Sequence, residues 1–415
     1  MSRILLAWEL GSNLGHLSRL LPLGRRLRAR GHTLLAVVRD LVLAARVLGP
    51  AGVPFIQAPR VSASPETSAQ PASYADVLRL TGWGDVQQLW GMTQAWVNVL
   101  RLSAADIVIV DHSPTALLAA RCTATPCALV GTGFELPPSR EPLPCFPGFP
   151  GATAENAARA EAQVLENANR VLAAVPGPRL RALCDLFQSA GRWLTTFAEL
   201  DHYDARPGER YVGPIGAVEQ GERLEWPLEA SQRVFAYLRP DTPDLAAILR
   251  SLAECGAAVV CYGPGIPAQR ISAIACDRLT FTSRPVELPA LLRDASLCVS
   301  YSPAGTVAAT LLHGVPQLLA PSHVEAQLTA HRVECMGAGL TLHGKPSEER
   351  IAATLHRLLT HSFYRSRAAA FAARYRNYDA AQAADGIVDE IESLAHASVT
   401  RARVQTGKDQ GTWGP

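Results

Sequence analysis

The sequence predicts an α/β protein built of two doubly wound domains, and three features predict it. Short apolar runs of strand length recur along the chain, and amphipathic segments of helix length lie between them. A Pro/Gly-rich break near the middle interrupts this rhythm, and the same alternation then restarts. Repeated βα units on both sides of a break argue for two parallel-sheet domains with a cleft between them.

The elements follow in order. RILLAWEL (3–10) is an apolar run suited to a buried parallel strand. HLSRLLPLGRRLRARGH (16–32) sets Leu20, Leu23 and Leu27 at helical spacing, with arginines on the other face. Proline is tolerated near a first turn, so Pro22 puts the start of this helix at about Gly15–Ser18, and Gly31 stops it. TLLAVV (33–38), ADIVIVD (105–111) and PCALVG (126–131) continue the strand series. TGFELPPSREPLPCFPGFP (132–150) is crowded with proline, glycine and phenylalanine, and reads as a long surface loop forming a binding wall.

Periodicity is lost in DHYDARPGERYVGPIGAVEQG (201–221). After it come RVFAYLRP, DLAAILRSLAECG, AAVVCYG, LTFTS, ASLCVSYS and PQLLAP. The expected organisation is a first domain over 1–205, a hinge over 206–220 and a second domain over 221–361. A long helical segment over 362–400 and a polar, flexible tail over 401–415 complete it.

Composition bounds the function. The 415 residues are 48% hydrophobic and 18% charged, and the net charge is +2. That balance suits a globular chain with a sizeable core and gives no reason to expect nucleic-acid binding. Glu9 interrupts the short apolar start, so no signal peptide is expected, and no apolar stretch approaches membrane-spanning length. Nine cysteines without a CxxC pair fit reduced thiols in a cytoplasmic protein.

The chemistry is expected at the carboxyl ends of the strands, where helix N-termini offer free amides to anions. SPAGT (302–306) occupies that position in the second half. Gly305 allows close approach, and Ser302 and Thr306 offer hydroxyls; a plain capped turn is the other reading. In the first half the turn is GSNLGH (11–16). His16 is either a cap, a surface residue or a base facing the cleft. Asp111 either caps the following helix or orients that histidine, a pairing that makes a general base.

NLGHLSRLLPLGRRLRARGH, ERYVGPIG and SPAGTVAATLLHGVPQLLAPSHVEAQLTAHRVECMGAG together resemble the GT-B nucleotide-sugar glycosyltransferases. The nearest group is the bacterial UDP-glycosyltransferase-like, macrolide-type one, and the resemblance covers nearly the whole chain. It implies that His16 is the catalytic base and that Asp111 holds its second nitrogen. It implies that Ala304, Gly305 and Thr306 form the pyrophosphate turn and that Glu325 reads donor-sugar hydroxyls. The family glutamine that follows falls on Ala326, with Gln327 one place further on. The closing helix resembles one that crosses back to the first domain.

Three departures accompany the resemblance. Tyr301, Ser302 and Pro303 stand where the family has His-Gly-Gly, and a tyrosine hydroxyl donates a hydrogen bond without bringing charge. Ala309 replaces a ribose-binding glutamate. SRPVELPALL (283–292) replaces the base-stacking tryptophan segment, leaving Arg284 to stack and backbone groups at Val286 to read the base edge.

The expected activity is inverting, metal-independent transfer of a sugar from a UDP- or TDP-sugar to a hydroxyl of a small, mostly apolar acceptor. No cofactor or metal is expected beyond the nucleotide-sugar co-substrate, and no Asp-x-Asp triplet is present. Asn13, Trp83, Trp90 and Phe134 are the acceptor-side candidates, with core packing as the equal reading for the tryptophans. A non-catalytic binding shell, or a GT-B enzyme with another reaction such as sugar epimerisation, are the alternatives.

Overall fold

The central strands of the first unit, such as RILLAW, IVIV and CALVG, are short, apolar and almost wholly buried on both faces, which is the environment a parallel sheet covered by helices provides. A computed structural model describes residues 1–12, 14–61, 71–149, 152–216 and 221–409, with 398–409 described by backbone alone. The first unit contains β1 (Arg3–Trp8), α1 (Gly15–Ala29), β2 (Thr33–Val38), α2 (Leu41–Val47) and β3 (Phe55–Gln57). It continues with α3 (Tyr74–Leu78), α4 (Val86–Ser103), β4 (Ile107–Val110), α5 (Pro114–Thr123), β5 (Cys127–Gly131), α6 (Ala154–Ala174) and β6 (Gly191–Leu194). Its sheet has the order β3-β2-β1-β4-β5-β6, parallel throughout.

Helix α1 begins at Gly15, as its sequence predicts, and carries Pro22 inside it rather than in its first turn. Proline cannot donate to the carbonyl four residues back, here that of Ser18. That carbonyl faces Gly216, where an added Cβ would stand only 2.8 Å from it.

The second unit contains β7 (Arg233–Tyr237), α7 (Leu245–Glu254), β8 (Ala258–Tyr262), α8 (Ala268–Ser272), β9 (Leu279–Thr282) and α9 (Leu288–Asp294). Then follow β10 (Leu297–Ser300), α10 (Ala304–Leu312), β11 (Gln317–Leu319), α11 (Val324–Cys335), β12 (Gly339–Thr341), α12 (Glu348–Thr360) and α13 (Ser362–Arg374). Its sheet, β12-β11-β10-β7-β8-β9, is again parallel. Alternate strand residues divide between two apolar clusters. Val234, Ala236, Val259 and Val299 pack with α7 and α12, while Phe235, Val260 and Cys298 pack with Leu291 and Leu292 of α9.

The unit boundaries differ from those the sequence predicts. Residues 199–204 belong to the second unit and 205–216 return to the first. Glu199 explains the former: its carbonyl accepts from Arg332 Nε at 3.0 Å and its carboxylate from Tyr375 Oη at 2.6 Å. The expected 362–400 helix is two helices. Its first part, α13, stays with the second unit, and α14 (Ala380–Asp409) belongs to the first. Asp379 separates them, its carboxylate accepting from the amides of Ala381 and Gln382 at 2.8 and 3.1 Å. No proline interrupts α14, and it runs on to Asp409 through most of the segment expected to be a tail.

Helix α14 completes the core of the first unit. Ala384, Ile387, Val388, Ile391 and Ala395 join Leu17, Leu20, Leu23 and Leu27 of α1 in one cluster. The arginines of α1 meet acids of α14, with Arg26 to Asp385 at 2.7 Å and Arg30 to Asp389 and Glu392 both at 2.6 Å. All nine cysteines are free thiols, three of them buried. Among the described residues no helix is long and apolar enough to cross a membrane.

Candidate functional site

In the first sheet the strand order reverses between β1 and β4, and connections leaving two such strands diverge at their carboxyl ends. Asp111 is the first residue beyond β4, and its N–H donates to Ala7 O at 2.9 Å. His16 enters from the first turn of α1, just beyond β1. His16 Nδ1 lies 3.0 Å from Asp111 Oδ1, and both side chains are buried. An ionised carboxylate only accepts, so Nδ1 carries the proton and Nε2 keeps its lone pair. Trp8 stacks on the imidazole with ring centroids 5.2 Å apart. Gly11 closes over the ring at φ +78, where a Cβ would come within 2.3 Å of His16 Nε2; only glycine fits.

Two residues absent from the sequence expectations complete this cluster. Arg19 lies three residues after His16, on the same helical face, and its guanidinium donates to Asp111 Oδ1 at 2.6 Å. It also reaches Glu135 Oε1 at 3.4 Å, while Glu135 Oε2 accepts from Thr132 N at 2.7 Å and from the Thr132 hydroxyl. Burial alone would push the Glu135 carboxyl up, but Arg19, the neighbouring His112 and His16 and the Thr132 hydrogen bond together more than reverse this and hold it well below its ordinary value. Burial likewise opposes the His16 imidazolium, and Asp111, assisted by Glu135, more than offsets it, so the His16 pKa lies above its ordinary value.

His112, next to Asp111, takes a left-handed φ of +49. Neither of its ring nitrogens has a hydrogen-bond partner among the described residues. Burial lowers its pKa to about 3, so the ring is neutral, and its centroid lies 5.6 Å from that of His16. His16, His112 and Glu135 offer ligand atoms within 4.8 Å of one another, close enough to hold a cation. The Arg19 guanidinium already bound to Glu135 opposes one.

Glu9 was informative in the sequence only as a charge inside an apolar run. In the fold it is buried and caps α5, accepting from Thr115 N at 2.9 Å and Ser113 Oγ at 3.0 Å. Burial raises its pKa to about 7. A carboxyl whose folded pKa exceeds its unfolded one adds stability that is complete below the unfolded value and lost as pH rises through the folded value. Glu9 therefore removes about 3 kcal/mol between pH ~4.5 and ~7.5. Glu9→Gln should lose that slope, so that variant and wild type diverge in the variant's favour as pH rises. Urea midpoints across this range measure it, and a difference constant in pH would refute the assignment.

The acceptor-side candidates separate. Phe134 joins the His16 cluster, meeting the His112 ring edge-on at 5.7 Å and stacking on Phe146 at 5.4 Å. Trp83 is fully buried, its indole N–H donating to Thr115 Oγ1 at 3.1 Å, which favours the core reading. Trp90 is 44% exposed on α4, near Gln87 and Arg170, and is not brought to the cluster. Asn13 lies outside the described residues. The segment 132–149 is not the surface loop its prolines suggest. Phe134, Leu136, Leu143 and Phe146 are buried, because Glu161 accepts from Leu143 N and Phe146 N donates to Ala72 O.

The second sheet reverses between β7 and β10, and SPAGT leaves β10 at that point. Ala304, Gly305 and Thr306 open α10, which has no side-chain cap at its start. Ser302 is 1% exposed, has φ +66, and its Oγ has no partner among the described residues. Tyr301 is 3% exposed and donates its hydroxyl to Tyr237 Oη at 3.3 Å. Ala309 packs against the cluster containing Phe235 and Val286. Arg284 is exposed and lies 3.6 Å from Glu222, and Val286 is buried where 285–287 bridge to Glu222. Glu325 and Gln327 are half-buried in the first turns of α11.

Residues 246–393 match the family model described as erythromycin biosynthesis protein CIII-like, C-terminal domain. No curated protein sequence matches the chain. Solved structures do. The Streptomyces sp. SF2575 glycosyltransferase SsfS6 is 20% identical over 94% of this chain and 100% of its own, with a TM-score of 0.65. CalG4, the calicheamicin glycosyltransferase, is 18% identical over 95% and 98%, with a TM-score of 0.70. Glycosyltransferase VinC, solved in complex with DTDP, is 17% identical over 95% and 100%, with a TM-score of 0.65. The chain has the GT-B fold of these structures, as its sequence predicts.

Proposed function

We propose that this GT-B chain is a glycosyltransferase that moves a sugar from a nucleoside diphosphate, TDP or UDP, to a hydroxyl of a small, mostly apolar acceptor. The single observation that carries the reading is the buried His16–Asp111 pair at the switch point of the first unit. A binding shell has no use for a base whose tautomer is fixed by a carboxylate.

In this reading His16 Nε2 takes the acceptor's hydroxyl proton as the oxygen attacks the anomeric carbon. The bond from that carbon to the diphosphate oxygen breaks, and its electron pair leaves with the nucleoside diphosphate. One displacement inverts the anomeric centre. Asp111 stabilises the imidazolium, and Arg19 holds the Asp111 carboxylate in place with a hydrogen bond. The uncapped amides at the start of α10 receive the leaving charge, so no metal is required. His112, neutral and with no hydrogen-bond partner among the described residues, orients a polar group of the acceptor, and Phe134 lines its apolar part.

The test has two stages. Calorimetric titration with TDP and UDP finds the donor class. Incubation with the matching sugar nucleotides and a panel of hydroxylated aromatic and aliphatic molecules, with and without EDTA, then seeks glycosides by mass spectrometry. Binding of a nucleoside diphosphate and EDTA-insensitive product are expected. Neither binding nor product would sink the reading.

A further inference from the structure

The family histidine that resemblance puts at position 301 is a tyrosine here, and that tyrosine is committed elsewhere. Its hydroxyl donates to Tyr237, whose ring meets Tyr301 edge-on at 5.0 Å and stacks on Tyr262 at 4.7 Å. Tyr301 is thus part of a packed three-ring wall. We propose that Arg239 takes over the diphosphate contact in this chain, forming with Ser302 Oγ and the first amides of α10 a pocket for the diphosphate of the donor. The proposal rests on the donor reading above.

Register brings these groups to one edge. β7 pairs with β10 through Tyr237 and Ser300, so the residues that follow, Arg239 after one strand and Tyr301–Thr306 after the other, leave the sheet at the same place. The Arg239 guanidinium sits over the Tyr301 ring at 5.6 Å from its centroid. Its Nε lies 3.3 Å from Asp241, and its backbone N–H donates to Thr242 Oγ1 at 2.9 Å, which holds the loop. The guanidinium also hydrogen-bonds the Tyr301 hydroxyl, and with five N–H donors in a planar fork it can keep these partners and still donate to phosphate.

The second group is Ser302. Its backbone is left-handed, a conformation unfavourable for a residue with a Cβ. Its buried Oγ has no partner among the described residues, although buried hydroxyls ordinarily find one. It stands immediately ahead of Pro303, the N-cap residue, whose ring offers no acceptor to the helix amides. A Cβ built on Gly305 would meet nothing within 4 Å, so the mouth of the helix is open. An unsatisfied hydroxyl, uncapped amides and a neighbouring cation are what an oxyanion satisfies together. The sequence did not reveal this, because Arg239 comes from the loop after β7, far from 301 in the chain.

Calorimetry at low salt on the full chain tests it, with TDP, UDP and inorganic pyrophosphate as probes. Arg239→Gln should weaken nucleoside diphosphate and pyrophosphate tenfold or more, the reach of one charged hydrogen bond. Arg239→Lys should recover part of the loss. Circular dichroism confirms that each variant is folded. If wild type binds TDP or UDP and Arg239→Gln binds equally well, the Arg239 assignment falls and the donor reading survives. If pyrophosphate binds in an Arg239-dependent way and no nucleoside diphosphate does, the anion pocket stands and the donor reading falls. Binding of no probe by wild type overturns both.

Discussion

On the proposed reaction, His16→Ala should lower turnover by about two to four orders of magnitude, the usual contribution of a general base, and leave nucleoside diphosphate affinity unchanged. The asymmetry follows from where the residue sits. His16 belongs to the first unit, while the candidate diphosphate groups all belong to the second. Asp111→Asn should also cost activity, because an amide can present its N–H to Nδ1 and move the ring proton to Nε2. The pH profile adds a signature. Turnover needs neutral His16, whose pKa is raised, so wild-type activity should fall on the acid side of a midpoint above pH 6.5. Full turnover by His16→Ala, measured as nucleoside diphosphate release, would remove it as the base.

The largest stability effect is expected at Arg19. Its guanidinium bridges two fully buried carboxylates, Asp111 and Glu135. Arg19→Leu removes the compensating charge from both, and breaking a buried ion pair in this way typically costs about 3–5 kcal/mol. The sign of its pH dependence can be stated. In wild type the Glu135 pKa is lowered, so its contribution is present above the ordinary carboxylate range and lost as pH falls through the folded value. In the variant burial acts unopposed by Arg19, and Glu135 takes up a proton more readily. The gap between wild type and variant should therefore be widest near neutral pH and narrow on acidification. Chemical denaturation at several pH values measures it. A loss below about 1 kcal/mol, or one independent of pH, would show that Arg19 does not serve this charge.

Much of the frame was legible because parallel strands buried on both faces must be continuous apolar runs, and RILLAWEL and ADIVIVD are such runs. That His16 and Asp111 share one sheet edge was legible because each lies in the connection leaving a strand, β1 and β4. What the sequence hid was pairing across long separations. Glu135 reaches Arg19 across the sheet, and Arg239 reaches Tyr301 from the loop after a neighbouring strand. The segment 132–149 misled for a related reason. Prolines mark irregular backbone, and irregular backbone is read as surface, yet its aromatic residues are buried in the unit. Arg284 shows the converse, since its exposed side chain faces Glu222, a neighbour no local pattern announced.

The descent of α14 onto α1 has a consequence for how the protein is made. A ribosome emits β1 and α1 long before α14, so the apolar stripe of Leu17, Leu20, Leu23 and Leu27 lacks part of its cover until α14 has been translated. Everything the second unit needs, 199–204 and 217–378, is out before Asp379. Synthesis therefore finishes the later-encoded unit ahead of the earlier one. A chain cut short after α13 would carry a finished second unit and a first unit with an open hydrophobic face, the kind of surface that chaperones hold and proteases find.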